Sequence, residues 1–157
     1  MFDVAVTYIL DSHERVVLGE KLTGLGIGKI VAPGGKAKPG EDPRDTAARE
    51  IAEEVGLFVE PSDLSHVATI EYPFIGRPAL SQRSFVFLTR SFVGDLRPSA
   101  ELAASWWAVD EIPYERMWPD AALWLPQALT GSTLRARIDI GRDNEVLTHH
   151  LAWGSPA

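Results

Sequence analysis

The sequence predicts an α+β fold: a mixed β-sheet sandwiched between helices. Three observations carry that expectation. Stretches rich in β-branched and aromatic residues outnumber helical stretches. The two helical stretches are separated by strands, so each is free to cover a sheet face. The 157 residues, 45% apolar and 24% charged, have ordinary globular composition and suit one domain with a real core. A single domain over residues 1–157 is therefore expected, with neither repeats nor a dividing linker.

Along the chain, "DVAVTYIL" and "RVVLG" are strand-like and flank the polar "DSHE", which reads as a hairpin. "GLGIGKIVAPGGK" is glycine-rich, a loop with a short strand inside it. "HVATIEYPF" and "RSFVFLTR" follow as strands; in the second, Phe85 and Phe87 share one face and Val86 and Leu88 the other, as in a strand covered on both sides. "SWWAV" is another strand. "DAALWLPQAL" reads as a helix that Pro126 kinks or shortens. "RARIDI" and "EVLTHHL" form a hairpin around "GRDN".

The other helix is the better defined. Asp42 is an N-cap acceptor, Pro43 suits the first helical position, and Asp45 puts negative charge where the helix dipole favours it. Gly56 suits the left-handed position past the end. At ~100° per residue, Ala47, Ala48, Ile51, Ala52 and Val55 share a face that can pack on the sheet. Glu50, Glu53 and Glu54 form a ridge on a different face, where like charges repel by a few tenths of a kcal/mol per pair.

Composition excludes several function classes. The net charge of −7 argues against a duplex nucleic-acid binder, whose phosphate contacts need a basic footprint. The absence of cysteine excludes disulfides, thiolate metal sites and cysteine nucleophiles. No apolar run approaches the ~18–20 residues needed to cross a bilayer. The N-terminal "MFDVAVTYIL" lacks a basic region and makes a poor signal peptide, so a soluble cytoplasmic protein without membrane partners is expected. His149 and His150 are consecutive and face opposite ways in a strand, and no histidine is assigned a role.

The glutamate ridge has two readings: a solvated acidic face, or a divalent cation site. Hard cations such as Mg²⁺ take carboxylate oxygens and fill their remaining positions with water and phosphate. A bound cation also lets an acidic protein hold a polyphosphate. The surrounding pattern decides between them. Residues 35–57 fit G-(five)-E-(seven)-R-E-U-x-E-E-x-G-U, U being aliphatic, through Gly35, Glu41, Arg49, Glu50, Ile51, Glu53, Glu54, Gly56 and Leu57. A chance match in a chain this long has odds on the order of 10⁻⁷ from average residue usage.

This stretch resembles the signature of the Nudix hydrolases. The resemblance implies the Nudix fold with a loop–helix–loop that binds Mg²⁺ or Mn²⁺, and cleavage of a diphosphate linked to another moiety, usually a nucleoside. "WWAVDEIPYERMWPDAALWLP", together with "TYIL", "RVVLGEK" and "PGGK", is similar to the animal-type MutT homologues that hydrolyse oxidised purine nucleoside triphosphates such as 8-oxo-dGTP. It implies cation ligands at Glu50, Glu53, Glu54 and Glu101 with the Gly34 carbonyl. Glu50 is implied as the proton acceptor, with Glu53 as close along the ridge, and Arg49 as the residue that orients a glutamate. Trp118 would stack on the base and Asp120 bond its edge; the alternatives are core packing for Trp118 and an N-cap for Asp120. Lys21, Gly35, Lys36 and Thr7 are placed near the substrate. Val31, Ala121 and Leu25 depart from that subfamily, which has a base-reading asparagine, a second aspartate and an aromatic at those places.

The expected activity is release of a nucleoside monophosphate and pyrophosphate by a monomer or homodimer. A pyrimidine triphosphate, an ADP-ribose-type substrate and a catalytically silent nucleotide sensor are the alternatives.

Overall fold

The computed structural model describes residues 1–156, with side chains to residue 154. Among the described residues, nine strands and two α-helices are arranged as β1 (Phe2–Ile9), β2 (Arg15–Lys21), β3 (Ile30–Val31), β4 (Gly34–Lys36), α1 (Pro43–Val55), β5 (Ser65–Tyr72), β6 (Gln82–Thr89), β7 (Leu102–Ala108), α2 (Ala121–Ala128), β8 (Ser132–Ile140) and β9 (Val146–Pro156). Six strands form a mixed sheet in the order β4-β1-β6-β5-β8-β9, and three form an antiparallel sheet in the order β3-β2-β7. Among the described residues no helix is long and apolar enough to cross a membrane.

The six-stranded sheet is covered on both faces at its inner strands β1 and β6, and alternation along β1 shows how. Ala5 and Ile9 pack with Ala47, Ile51 and Val55 of α1, while Tyr8 packs with Trp124, Leu125 and Ala128 of α2. β6 divides the same way: Phe87 joins the α1 core and Val86 the α2 core, as the double-faced pattern requires. The two helices therefore lie on opposite sides of the sheet.

α1 forms as its caps dictate. The Asp42 carboxylate accepts the Arg44 amide at 2.9 Å, Pro43 opens the helix, and Gly56 closes it at φ 74°. α2 is only eight residues long with Pro126 inside it, in keeping with a shortened helix. β8 and β9 form the expected hairpin.

The first hairpin is corrected. After a single bridge between Leu10 and Val16, β1 and β2 separate into different sheets. β1 pairs in parallel with β6 and antiparallel with β4, whereas β2 pairs with β7 and β3. The turn is nevertheless fixed by its polar residues: the Asp11 carboxylate accepts the His13 and Arg15 amides, each at 2.9 Å, and the Arg15 guanidinium at 2.7 Å. Local sequence specifies that turn, but the strands' partners are chosen by burial on both faces of β1.

Candidate active site

A cleft of about 650 Å³ opens against β1, where Val4, Val6 and Tyr8 form part of its wall. That volume suits a nucleotide-sized ligand. Two sets of polar side chains line it: carboxylates from α1 and from the residue just before β7, and an aromatic–aspartate group from the approach to α2.

Winding α1 at ~100° per residue places Glu50 and Glu54 beside the Ala47–Ile51–Val55 stripe and Glu53 across the helix from it. The structure follows that geometry. Glu50 and Glu54 are buried, at 9% and 8% exposure, and with Glu101 they bring carboxylate oxygens within 4.8 Å of one another. Glu53 lies outside this trio, with its side chain 55% exposed and its Oε2 3.4 Å from an Arg49 nitrogen. Gly34 donates its amide to Glu54 Oε1 at 2.7 Å.

Arg49 braces the group. It grips Glu41 through two nitrogens at 2.8 and 2.9 Å, donates to Glu50 Oε1 at 2.8 Å, and reaches the Lys36 carbonyl at 3.1 Å. Glu41 also accepts the buried Thr46 hydroxyl at 2.7 Å and the Lys38 amide at 2.9 Å. Arg49 thus orients Glu50 through a scaffold that includes Glu41 and Thr46. No sequence reasoning had given those two residues a role, although the pattern itself contains Glu41.

The electrostatics divide these carboxyls. The Arg49 hydrogen bonds, then the Lys38 amide, hold Glu41 well below the usual carboxylate range. Burial pushes Glu54 up to about 7, aided by the charges of Glu50 and Glu101 and opposed by the Gly34 amide. Burial also raises Glu50, against the pull of Arg49. These two buried carboxyls are therefore poor anions until a positive charge joins them, and an all-oxygen donor set fits a hard divalent cation.

Cation affinity should follow that titration. Below about pH 7, a cation held by this trio would have to displace the Glu54 proton. Affinity is then expected to weaken about tenfold per pH unit below that midpoint and to level off above it. Calorimetric Mg²⁺ titrations from pH 5.5 to 8.5, in buffers of different ionisation enthalpy, will show the slope and the released proton. A pH-independent affinity would remove Glu54 from the site.

Trp118 lines the cleft with Phe74 edge-on to it at 6.1 Å and the Lys29 ammonium 5.5 Å from its ring centre. The glycine-rich loop lies on the indole: a Cβ at Gly26, whose φ is 80°, would sit 2.8 Å from the indole nitrogen. Asp120 is 4% exposed and occupies the N-cap position of α2, but its side chain makes no capping bond there. Instead its Oδ2 accepts the Tyr72 hydroxyl at 2.7 Å and the Trp124 indole N–H at 2.8 Å. Burial raises the Asp120 pKa, and these two donors oppose the rise. Tyr72 and Trp124 went unassigned from sequence, because their convergence depends on β5 meeting α2.

Lys21, Gly34, Gly35 and Lys36 line the cleft, as do the departing residues Leu25, Val31 and Ala121. Thr7 does not. Val6 and Tyr8 face the cleft, so Thr7 between them turns to the other side of β1, where it is fully buried with its hydroxyl unpartnered among the described residues. Its expected place beside the substrate is corrected on that ground.

Comparison with known proteins gives a consistent picture. Residues 1–128 match the NUDIX domain. The chain is 37% identical over 115 residues to an oxidized purine nucleoside triphosphate hydrolase of Danio rerio, covering 73% of this chain and 72% of that protein. It is 33% identical over 138 residues to the Mus musculus protein of the same name, covering 88% and 86%. A crystal structure of the mutator MutT protein from Bacillus halodurans superposes with a TM-score of 0.81 at 25% identity, over 96% of this chain and 97% of that one.

Proposed function

Because this chain belongs to the NUDIX family of hydrolases acting on acid anhydrides, we propose that it cleaves a purine nucleoside triphosphate, including oxidised forms such as 8-oxo-dGTP, to nucleoside monophosphate and pyrophosphate. One observation carries this reading. A single cleft holds both the Glu50–Glu54–Glu101 cluster and the Trp118–Asp120 pair, so a charged phosphate chain and a stacked base can be held together. The names of the animal relatives support the choice of substrate.

Nudix hydrolases generally use divalent metals. Here Mg²⁺, or Mn²⁺ in its place, would be held by Glu50, Glu54 and Glu101 with the Gly34 carbonyl, and Glu53 would join from the rim on leaving Arg49. When bound, the cation supplies polarisation of the phosphate chain and neutralisation of charge on the leaving pyrophosphate. The chain's own groups do the rest. Arg49 fixes Glu50 on the cleft wall, where its carboxylate takes a proton from the attacking water. Lys21 and Lys36 offset phosphate charge from the cleft wall. Trp118 stacks on the base with little preference among bases, and Asp120 meets its edge. Water adds at phosphorus, one P–O anhydride bond breaks, and pyrophosphate leaves intact.

The test is a substrate screen of normal and oxidised nucleoside triphosphates and ADP-ribose, with products separated. Nucleoside monophosphate with intact pyrophosphate is the expected outcome. Orthophosphate with nucleoside diphosphate would overturn the direction of cleavage, and a preference for ADP-ribose would overturn the substrate class.

Base discrimination should be modest. Val31 and Ala121 line the cleft without any side-chain donor or acceptor, leaving Asp120 as the reader among the positions where the subfamily carries polar groups. A missing hydrogen bond to a buried partner costs about 1–3 kcal/mol. Ala121→Asp is therefore expected to raise the ratio of kcat/KM for 8-oxo-dGTP over dGTP by about tenfold. A parent already selective by several thousandfold would show that other residues read the base.

A further inference from the structure

We propose that Tyr72 is a positioning residue: with the Trp124 indole it locks Asp120 so that only Oδ1 is offered to the base of a bound nucleotide. The Tyr72–Asp120 bond then helps to decide which base edge is accepted. This inference rests on the nucleotide reading of the cleft given above.

The Tyr72 hydroxyl and the Trp124 N–H both fall on Oδ2, at 2.7 and 2.8 Å. An sp² carboxylate oxygen has two lone pairs, so Oδ2 is filled and a ligand donor must use Oδ1. Indole N–H is a donor only, which fixes the sense of at least one bond. Asp120 is 4% exposed, so water competes little for either oxygen. The two donors come from β5 and α2, and Tyr8 of β1 packs edge-on against Trp124 at 6.2 Å. Three separate elements thus hold one carboxylate.

The same arrangement decides where a proton sits. With both Oδ2 lone pairs engaged, protonation of Asp120 occurs on Oδ1. That oxygen accepts from a base N–H when ionised and donates to a base carbonyl or ring nitrogen when neutral. Tyr72 from β5 and Tyr8 from β1 are the titratable groups facing it, with Tyr114 acting on Tyr8. Burial holds both phenols neutral, and the Asp120 charge adds to that effect. Among the described residues no charged side chain contributes to the Asp120 shift, so losing the Tyr72 donor should favour the neutral form.

Tyr72→Phe keeps the ring and removes the donor. Its KM for 8-oxo-dGTP and dGTP is expected to rise about tenfold, as for loss of a hydrogen bond to a charged group. The effect should fall on KM more than on kcat, and the pH midpoint of KM should move upward. A protein with a merely loosened fold would show no such shift. Asp120→Asn, measured alongside, separates the two readings. If Asp120→Asn alters KM while Tyr72→Phe leaves both KM and midpoint at parental values, the positioning role is overturned and the nucleotide reading stands. If neither variant alters KM on a nucleotide the parent hydrolyses, Asp120 does not read the base and the inference falls. ¹³C titration of the Asp120 carboxyl in cation-free parent and Tyr72→Phe needs no substrate. A raised midpoint supports the lock even if no nucleotide is turned over, and an unchanged one overturns it. Should Tyr72→Phe fail to fold, Trp124→Phe removes the other donor to the same oxygen and is read in the same way.

Discussion

Glu54→Gln is expected to lower kcat by at least ~10²-fold at saturating Mg²⁺, the scale on which removal of one preorganised charge-stabilising group usually registers. Glutamine keeps the volume, and its carbonyl can still accept the Gly34 amide that Glu54 Oε1 accepts at 2.7 Å. What it loses is an anionic oxygen in the trio with Glu50 and Glu101. Stability gives the internal control. Burial raises the folded-state pKa of Glu54 to about 7, above its unfolded value. The folded state therefore holds the proton more tightly, and cation-free stability falls as pH rises from the ordinary carboxylate range to about 7, then levels. The neutral variant escapes that loss, so at pH 8 its cation-free melting temperature should equal or exceed the parent's. Glu53→Gln should cost less activity than Glu54→Gln, since its carboxylate lies 55% exposed outside the trio. Steady-state kinetics of the two variants, with melting curves, will check both statements. Parental turnover in Glu54→Gln would remove that residue from the mechanism.

Gly35→Ala should produce a loss of similar size without removing a charged group. Gly35 is not in a positive-φ conformation, so alanine meets no backbone penalty there. Its Cβ, however, would lie 2.5 Å from Glu50 Cδ and Oε1. The carboxylate must move, and it is already tied to Arg49 at 2.8 Å. Misplacing a reacting group by about 1 Å can cost ~10²-fold in rate. We expect kcat to fall by that order while the melting temperature and nucleotide binding stay close to parental. Binding measured with a non-hydrolysable triphosphate separates the two effects, and full activity in Gly35→Ala would show that Glu50 need not keep its position.

Much of this was legible in the chain. The caps of α1, the doubly covered pattern of β6 and the β8–β9 hairpin are local: each depends on residues within a few positions of one another, where backbone preference and periodicity act directly. The spacing of Glu50, Glu53 and Glu54 was also readable. Even their inequality was latent in the helix winding, because Glu53 lies farthest round from the buried stripe.

Sequence alone thus determined the α+β class, the family signature in residues 35–57 and the helix that carries its glutamates. Tertiary structure alone decided which groups meet. It parted β1 from β2 after one bridge, turned Thr7 away from the cleft, and brought a carboxylate oxygen of Glu101, just before β7, to within 4.8 Å of those of Glu50 and Glu54. It also joined Tyr72 to Asp120 across 48 positions of chain. The physical reason is range. Capping and periodicity are short-range and can be read from neighbours, whereas strand partnership and buried polar contacts are set by which apolar faces the whole chain buries together, and that balance is struck only in the folded molecule.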